Sequence, residues 1–510
     1  MLRKKNKDKE LIYNASRNVA LGTIGLIVVS VFGLLERRVF SDHLSSDFLG
    51  LNSLFSSILN VLSLAEMGFG SALAYYLYAP LAKRDETRIR VLVNYLKKAY
   101  SMVGLLVGGI GILITPFLGI IAKTDIPINQ VQLFYVIYLL GIVGGYFFSY
   151  SAIVLEADQN LYLQSIIESS FRIIQYSIQM LVLFLTESYL IYITVYAISN
   201  IINYLLIKIF VNKKYGFLTI RIKDEKLDKE TKKSLIKDIK GLLLAKTGQI
   251  LSNNVDTLLL STLAGLAVLG NYSYYSLIFI GIGSVTNLIF SSFNASIGHH
   301  CALESKMSSY IWFRKLTNYY ILIMGLVFTV TGIIINPLLK IMYPNSDLFS
   351  HFTVFLFVFT RFLTTIRHIP RSFEQSYGIF YQDRFKSTLD LIINFISSLI
   401  LFYFIGYNGI FLGSIISYFL SYFWIEPVTL FRYPFKSFPK TGYWVSLIKG
   451  LLIFTLTFTI GTIASHYIYN DTLFTFIILC IVSIGIFILF SLLFMPKVCI
   501  SIIKQRMRAR

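Results

Sequence analysis

The sequence predicts an all-α polytopic membrane protein of about 14 transmembrane helices: two six-helix repeat lobes followed by a C-terminal helix pair. Three observations predict it: apolar blocks of bilayer length, a one-sided distribution of basic residues, and a weak match between the two halves of the chain. Hydrophobic residues make up 55% of the 510 positions and charged ones 14%, with mean hydropathy +0.68. No soluble domain of this size needs so much apolar surface. The apolar residues come in blocks of about 20, the length that crosses a hydrocarbon core.

In chain order the blocks fall at 18–40, 51–79, 99–121, 131–155, 166–186, 189–211, 241–262, 271–296, 316–338, 350–370, 387–405, 410–431, 447–469 and 473–495. The N-terminus, MLRKKNKDKE, is basic, but the apolar block after it is too long for a signal peptide and lacks a small-residue cleavage site. It reads as a retained first span. Connections are mostly short, which leaves no room for a separate soluble domain. Cys301, Cys480 and Cys499 are too widely spaced for a disulfide framework or a metal site, so no metal or cofactor is expected.

The net charge of +20 matters through its placement. With the N-terminus inside, the inner segments hold 38 of the 46 Lys and Arg residues, and the outer ones hold only Arg37, Arg38, Lys123 and Lys340. Arg172, Arg361, Arg367 and Arg371 fall within or at the ends of spans. Such a bias predicts a multi-pass protein with both termini cytoplasmic, and it attributes the charge to topology and leaves nucleic acid unneeded as a partner.

The two halves share a pattern at an offset of 220 residues. Glu36 matches Asp256, Ser41 matches Ser261, Leu49-Gly50 matches Leu269-Gly270, and Ser53 matches Ser273. A second correspondence, VLEADQNLYLQ with IFYQDRFKST, lies at about 224 residues. Such similarity between hydrophobic halves is expected of a transporter built from repeats. It divides the chain into an N-terminal six-helix lobe (1–212), a charged cytoplasmic linker (213–240), a second six-helix lobe (241–431) and a two-helix extension with a basic tail (432–510). The linker's mixed charges read as a solvated or headgroup-level helix.

Ionisable residues inside spans are costly and normally face a cavity or a partner. Four groups qualify: Glu36, Arg37 and Arg38 at the end of span 1; Glu66 in span 2; Asn253, Asn254 and Asp256 in span 7; and Arg361, Arg367, His368, Arg371 and Glu374 in span 10. Helical spacing sets the span 10 residues as stripes on adjoining faces, with a kink expected at Pro370. A cationic stripe at membrane depth suits a phosphate or diphosphate, which Arg grips bidentately. Arg37, Arg38, Arg361, Arg367 and Arg371 are therefore the candidate substrate-binding cations. Glu36, Glu66, Asn253, Asn254, Asp256 and Glu374 are the candidate coupling or gating groups. The competing structural reading makes Arg367 and Arg371 headgroup anchors, with Arg371 paired to Glu374. It pairs Arg37 and Arg38 with Glu36, Glu66 or Asp256. Catalytic and Walker-type motifs are absent, which argues against an enzyme and against ATP as the energy source. A membrane potential of about 100 mV, worth about 2.3 kcal/mol per elementary charge, can bias outward movement of an anion.

RRVFSDHLSSDFLGLNSLFSSILNVLSLAEMGFGSALAYYLYAPLAKRD (37–85) and VDTLLLSTLAGLAVLGNYSYYS (255–276) resemble the openings of the two halves of Wzx-type polysaccharide flippases, of the MATE-like exporter superfamily. The likeness covers roughly spans 1–12. It implies a two-lobed bundle alternating between inward- and outward-open states around a cationic cavity. The cargo implied is an undecaprenyl-diphosphate-linked oligosaccharide for capsule, exopolysaccharide or O-antigen assembly in a bacterial cytoplasmic membrane. Implied partners are that lipid-linked oligosaccharide, membrane lipids and polysaccharide polymerase with chain-length machinery. Sugars would meet Tyr75, Tyr76, Tyr272, Tyr274 and Tyr275. A MATE-type multidrug or cation antiporter and a membrane polysaccharide polymerase are the alternatives. The first should need acidic cavity groups and the second a large outer loop.

Overall fold

The computed structural model of the chain describes residues 2–158, 160–219, 229–379, 385–468 and 472–501. Among them the fold is helical throughout. The helices are α1 (Leu2–His43), α2 (Ser46–Leu62), α3 (Leu64–Lys83), α4 (Glu86–Ile114), the single turn α5 (Leu118–Ile121), α6 (Ile128–Ala157), α7 (Leu161–Thr186), α8 (Tyr189–Lys214) and α9 (Lys229–Leu259). They continue with α10 (Leu266–Leu303), α11 (Lys306–Met342), α12 (His351–Ile366), α13 (His368–Ser376), α14 (Lys386–Ile405), α15 (Asn408–Leu420), α16 (Tyr422–Arg432), α17 (Thr441–Ile468) and α18 (Leu473–Phe494). Each of the fourteen expected spans coincides with one of these helices or with a broken pair. Ten helical stretches among the described residues are long and apolar enough to cross a bilayer unaided. The chain is a multi-pass membrane protein.

Among the described residues, spans are broken at Ser63 (α2/α3), Arg367 (α12/α13) and Ser421 (α15/α16), and a 3-10 turn (Thr115–Phe117) separates α4 from α5 within another. The α12/α13 break has the cause read from sequence. Pro370 has no N–H to offer the Ile366 carbonyl, so the helix restarts at His368. At the α15/α16 break, the Ser417 and Ser421 hydroxyls turn to the buried Asp390 carboxylate of α14, at 2.9 and 3.2 Å.

Two compact units make up the chain, Met1–Gly270 and Asn271–Arg510. In the first, α6 lies along α8, α1 along α7, and α3 against α4 and α9. The α6–α8 contact is close because Gly141 and Gly144 face Ala197 and Ile201. In the second, α14 pairs with α15, and α11 is flanked by α12, α17 and α18. Helix α9, assigned from sequence to the second lobe, packs on α2 and α3 of the first unit. Its start also absorbs the last part of the expected linker: from Lys229 onward the chain is one helix with the span. The linker residues 220–228, the tail 502–510 and the FYQDR of the second internal correspondence (380–384) lie outside the described residues.

Candidate functional site

The internal match at 220 residues becomes a reciprocal contact. Helices α2 and α10 start at equivalent points and cross there. A Cβ on Gly50 would overlap the Leu266 carbonyl, and a Cβ on Gly270 would overlap the Ser46 carbonyl. Ser46 and Leu266 are themselves 220 residues apart, so each glycine seats the first turn of the other helix. Helical glycine costs about 1 kcal/mol relative to alanine, and the close approach is what requires it. The α9 end beside this crossing winds into a π-turn (Leu260–Ala264) closed by Gly265 at φ +101°, a conformation open to glycine and few others. The loop after α5 is clamped onto it. Lys123 N–H donates to the Ser261 carbonyl (3.3 Å) and Leu266 N–H to the Lys123 carbonyl (2.9 Å). The Ser261 hydroxyl donates to the Ile121 carbonyl (3.0 Å), and the Thr124 hydroxyl to Asp47 (3.1 Å).

The acidic candidates of the first unit are held by phenols. Glu36 is buried in α1 and accepts from the Tyr192 hydroxyl of α8 at 2.7 Å, with the Arg37 charge beside it. Arg38 pairs with Asp42 one turn on, at 2.9 Å. This partner is not among the carboxylates expected from sequence. Glu66 meets the hydroxyls of Tyr100 (α4) and Tyr146 (α6), and the Tyr100 phenol lies against Gly70, one turn along α3. Asn254 accepts from the buried Ser57 hydroxyl of α2 at 3.1 Å, which ties α9 to α2. Asn253 is exposed and Asp256 half-buried.

In the second unit the span 10 residues separate into two environments. Arg367 lies at the α12/α13 break and grips Glu426 of α16 with both arms, Nη2 to Oε1 at 2.6 Å and Nε to Oε2 at 3.1 Å. Its guanidinium stacks 3.1 Å from the Tyr422 ring centre. Lys386, at the start of α14, bridges Glu374 (2.7 Å) and the same Glu426 (3.1 Å). The four side chains form one network whose carboxylates are buried, Glu426 1% and Glu374 3% exposed, and whose cations are largely shielded, Arg367 15% and Lys386 13%. A single carboxylate could not neutralise two largely shielded cations, and the second acid completes the balance. Arg371 is half-buried on the next turn of α13.

Arg361 is different. Its Nη2 donates to the Tyr272 hydroxyl of α10 at 2.6 Å, and its guanidinium lies 5.2 Å from the Phe357 ring centre. Tyr272 is in turn stacked on Phe411 and edge-on to Phe357. Among the described residues no carboxylate lies within 4 Å of Arg361. The result is a cation fixed by an aromatic wall with most of its N–H donors uncommitted.

Of the tyrosines suggested for sugar contact, Tyr274 and Tyr275 are buried in packing. Tyr275 is bonded to Asn336 and to the Phe349 N–H. Tyr75 is exposed and Tyr272 serves Arg361. Sequence reasoning passes over Lys386, Asp390 and Glu426. The signal is present: Glu426 stands in the apolar run SYFWIEPVTL and Asp390 in STLDLIINF, and an acid inside a span asks for a partner.

No family model matches the sequence, and no curated protein matches it. Solved structures do match in fold. "Lipid II flippase MurJ, inward closed conformation" aligns over 94% of this chain and 100% of its own at TM-score 0.66 and 12% identity. An inward-facing multidrug resistance MATE family transporter of the MOP superfamily aligns over 82% and 100% at TM-score 0.61 and 12% identity. A single-residue mutant of the Vibrio cholerae MATE transporter VcmN aligns over 83% and 97% at TM-score 0.56 and 15% identity. The fold of this chain is the one these flippase and exporter structures share.

Proposed function

We propose that this protein is a flippase that moves undecaprenyl-diphosphate-linked oligosaccharide repeat units across the bacterial cytoplasmic membrane, both termini inside, for surface polysaccharide biosynthesis. The observation that carries the reading is Arg361. An intramembrane guanidinium is costly unless it has an anion to meet. This one is oriented by Tyr272 and Phe357 with no carboxylate partner among the described residues, and its fork matches a diphosphate. Arg38 and Arg367 are matched by Asp42 and Glu426. A solved structure of the same fold is named a lipid II flippase.

Arg361→Ala is expected to lower export roughly ten- to a hundredfold, the worth of a charge-assisted contact, with protein level unchanged. Arg361→Lys should recover part of it, because the ammonium keeps the charge and loses the fork. The assay is surface polysaccharide together with lipid-linked units accumulating on the cytoplasmic side. Normal export in Arg361→Ala cells sinks the reading.

A second reading has its own observation. The acids Glu36, buried, and Glu66, half-buried, each held by tyrosine hydroxyls, suit an exporter of cations. Dye efflux abolished by Glu36→Gln and indifferent to Arg361→Ala would favour it.

A further inference from the structure

A cavity of about 290 Å³ opens between the start of α11 and the helical turn that follows α18. From the sequence-derived topology, both of these ends face the cytoplasm. Arg314, Lys315 and Asn318 line it from α11, and Lys497 and Ser501 from the other side. The α11 residues recur at three- and four-residue spacing and so share one face. Pro496 opens the second wall, a position where its missing N–H costs nothing. That wall is braced by the Tyr319 hydroxyl on Ser501 at 3.0 Å.

Three cations converge here, and among the described residues no carboxylate lies within 4 Å of any of them. Lys315 rests over the Tyr319 ring at 5.8 Å. Neutral partners leave the charge of all three available to an anion. The depth of the cavity identifies which kind. The chain's three tryptophans lie at this same end: Trp312 in α11, Trp444 at the start of α17, and Trp424, 4.9 Å from Trp444. Tyr443 lies against Trp444 and is stacked on Phe313, the neighbour of Trp312 in α11. Tryptophan gathers at the headgroup level of a bilayer. One turn deeper, Leu322, Ile453, Phe487 and Met495 close an apolar core, while Ile311, Leu492 and Leu493 are exposed on the outside. The mouth is therefore basic, the level interfacial and the flank greasy.

We infer that this cavity binds the phosphate of an anionic glycerophospholipid of the inner leaflet. The Arg314 fork and the two ammonium groups would meet the phosphodiester oxygens, Asn318 and Ser501 the headgroup hydroxyls, and the exposed apolar flank the acyl chains. Basic pockets between helices on the cytoplasmic side are suited to such headgroups. The site is independent of the transport reading and of Arg361.

The test uses the full chain in nanodiscs of phosphatidylcholine with or without phosphatidylglycerol. The readouts are lipid retained in native mass spectrometry and the melting temperature. Wild type is expected to retain phosphatidylglycerol and melt higher in its presence. R314Q/K315Q/K497Q should bind it about a hundredfold more weakly. Arg314 lies over Gly442, and its loss can disturb packing. The double variant K315Q/K497Q removes two charges without touching that contact and should still cost about tenfold. Equal retention by wild type and the double variant overturns the assignment. So does an equal loss in K83Q/K97Q/K98Q, which removes the same charge from another basic surface. Displacement of the lipid by inorganic phosphate, or preference for undecaprenyl diphosphate, would assign the cavity to a soluble anion or to the cargo and overturn it as well.

Discussion

Glu426→Ala is expected to be among the most damaging single substitutions in the second unit, lowering stability by about 3–5 kcal/mol, the cost of stripping the counter-charge from a buried cation. Glu426 is 1% exposed and is the carboxylate that Arg367 and Lys386 share. Without it the Arg367 guanidinium loses its carboxylate and retains the Tyr422 ring, and Lys386 retains Glu374. The loss should appear as a lower melting temperature in detergent and a reduced folded yield. Replacing the pair together, as Arg367→Met with Glu426→Leu, should cost much less, because desolvation cancels most of the attraction within a buried ion pair. A double variant as unstable as Glu426→Ala would show that the network stabilises beyond charge balance. An unchanged melting temperature in Glu426→Ala would refute the buried pairing itself.

The second large effect is expected at the crossing of α2 and α10. Gly50→Ala and Gly270→Ala each place a methyl group where a backbone carbonyl already stands. Backbone cannot step aside as a flexible side chain can, so each should cost about 1–3 kcal/mol, and valine more. The two costs should not add. Once one methyl group has forced the helices apart, the second enters space already opened. A thermal-melt double-mutant cycle on the full chain measures this. Additive losses would mean that the two contacts are independent and not halves of one crossing.

That crossing shows how far the sequence reaches. The 220-residue match between Leu49-Gly50 and Leu269-Gly270 is visible in the letters alone. Periodicity exposes a repeat but does not say what the repeated residues touch. The structure adds that each glycine faces the other copy's helix start. Span 10 behaves similarly. Its basic stripe and the break at Pro370 are legible, because hydropathy, spacing and a missing N–H are local properties. The division of labour within the stripe is not. Arg361 and Arg367 are six residues apart on one chain segment and look alike in sequence. Arg367 is committed to a carboxylate 59 residues away on α16, and Arg361 to a phenol 89 residues away on α10.

By itself, then, the sequence determined that this is a helical multi-pass membrane protein, where its spans lie, where its chain would bend and which intramembrane charges needed partners. Those follow from the free energy of placing each residue in hydrocarbon, which is set position by position. Only the tertiary structure decided which charges cancel and which remain open. It tied Glu36 and Glu66 to tyrosines, paired Arg38 with Asp42, closed Arg367, Lys386, Glu374 and Glu426 into one network, set Arg361 against a hydroxyl and rings with no carboxylate beside it among the described residues, and packed α9 with α2 and α3. Charge pairing acts over a few ångströms between residues far apart in the chain, and no local pattern encodes that distance.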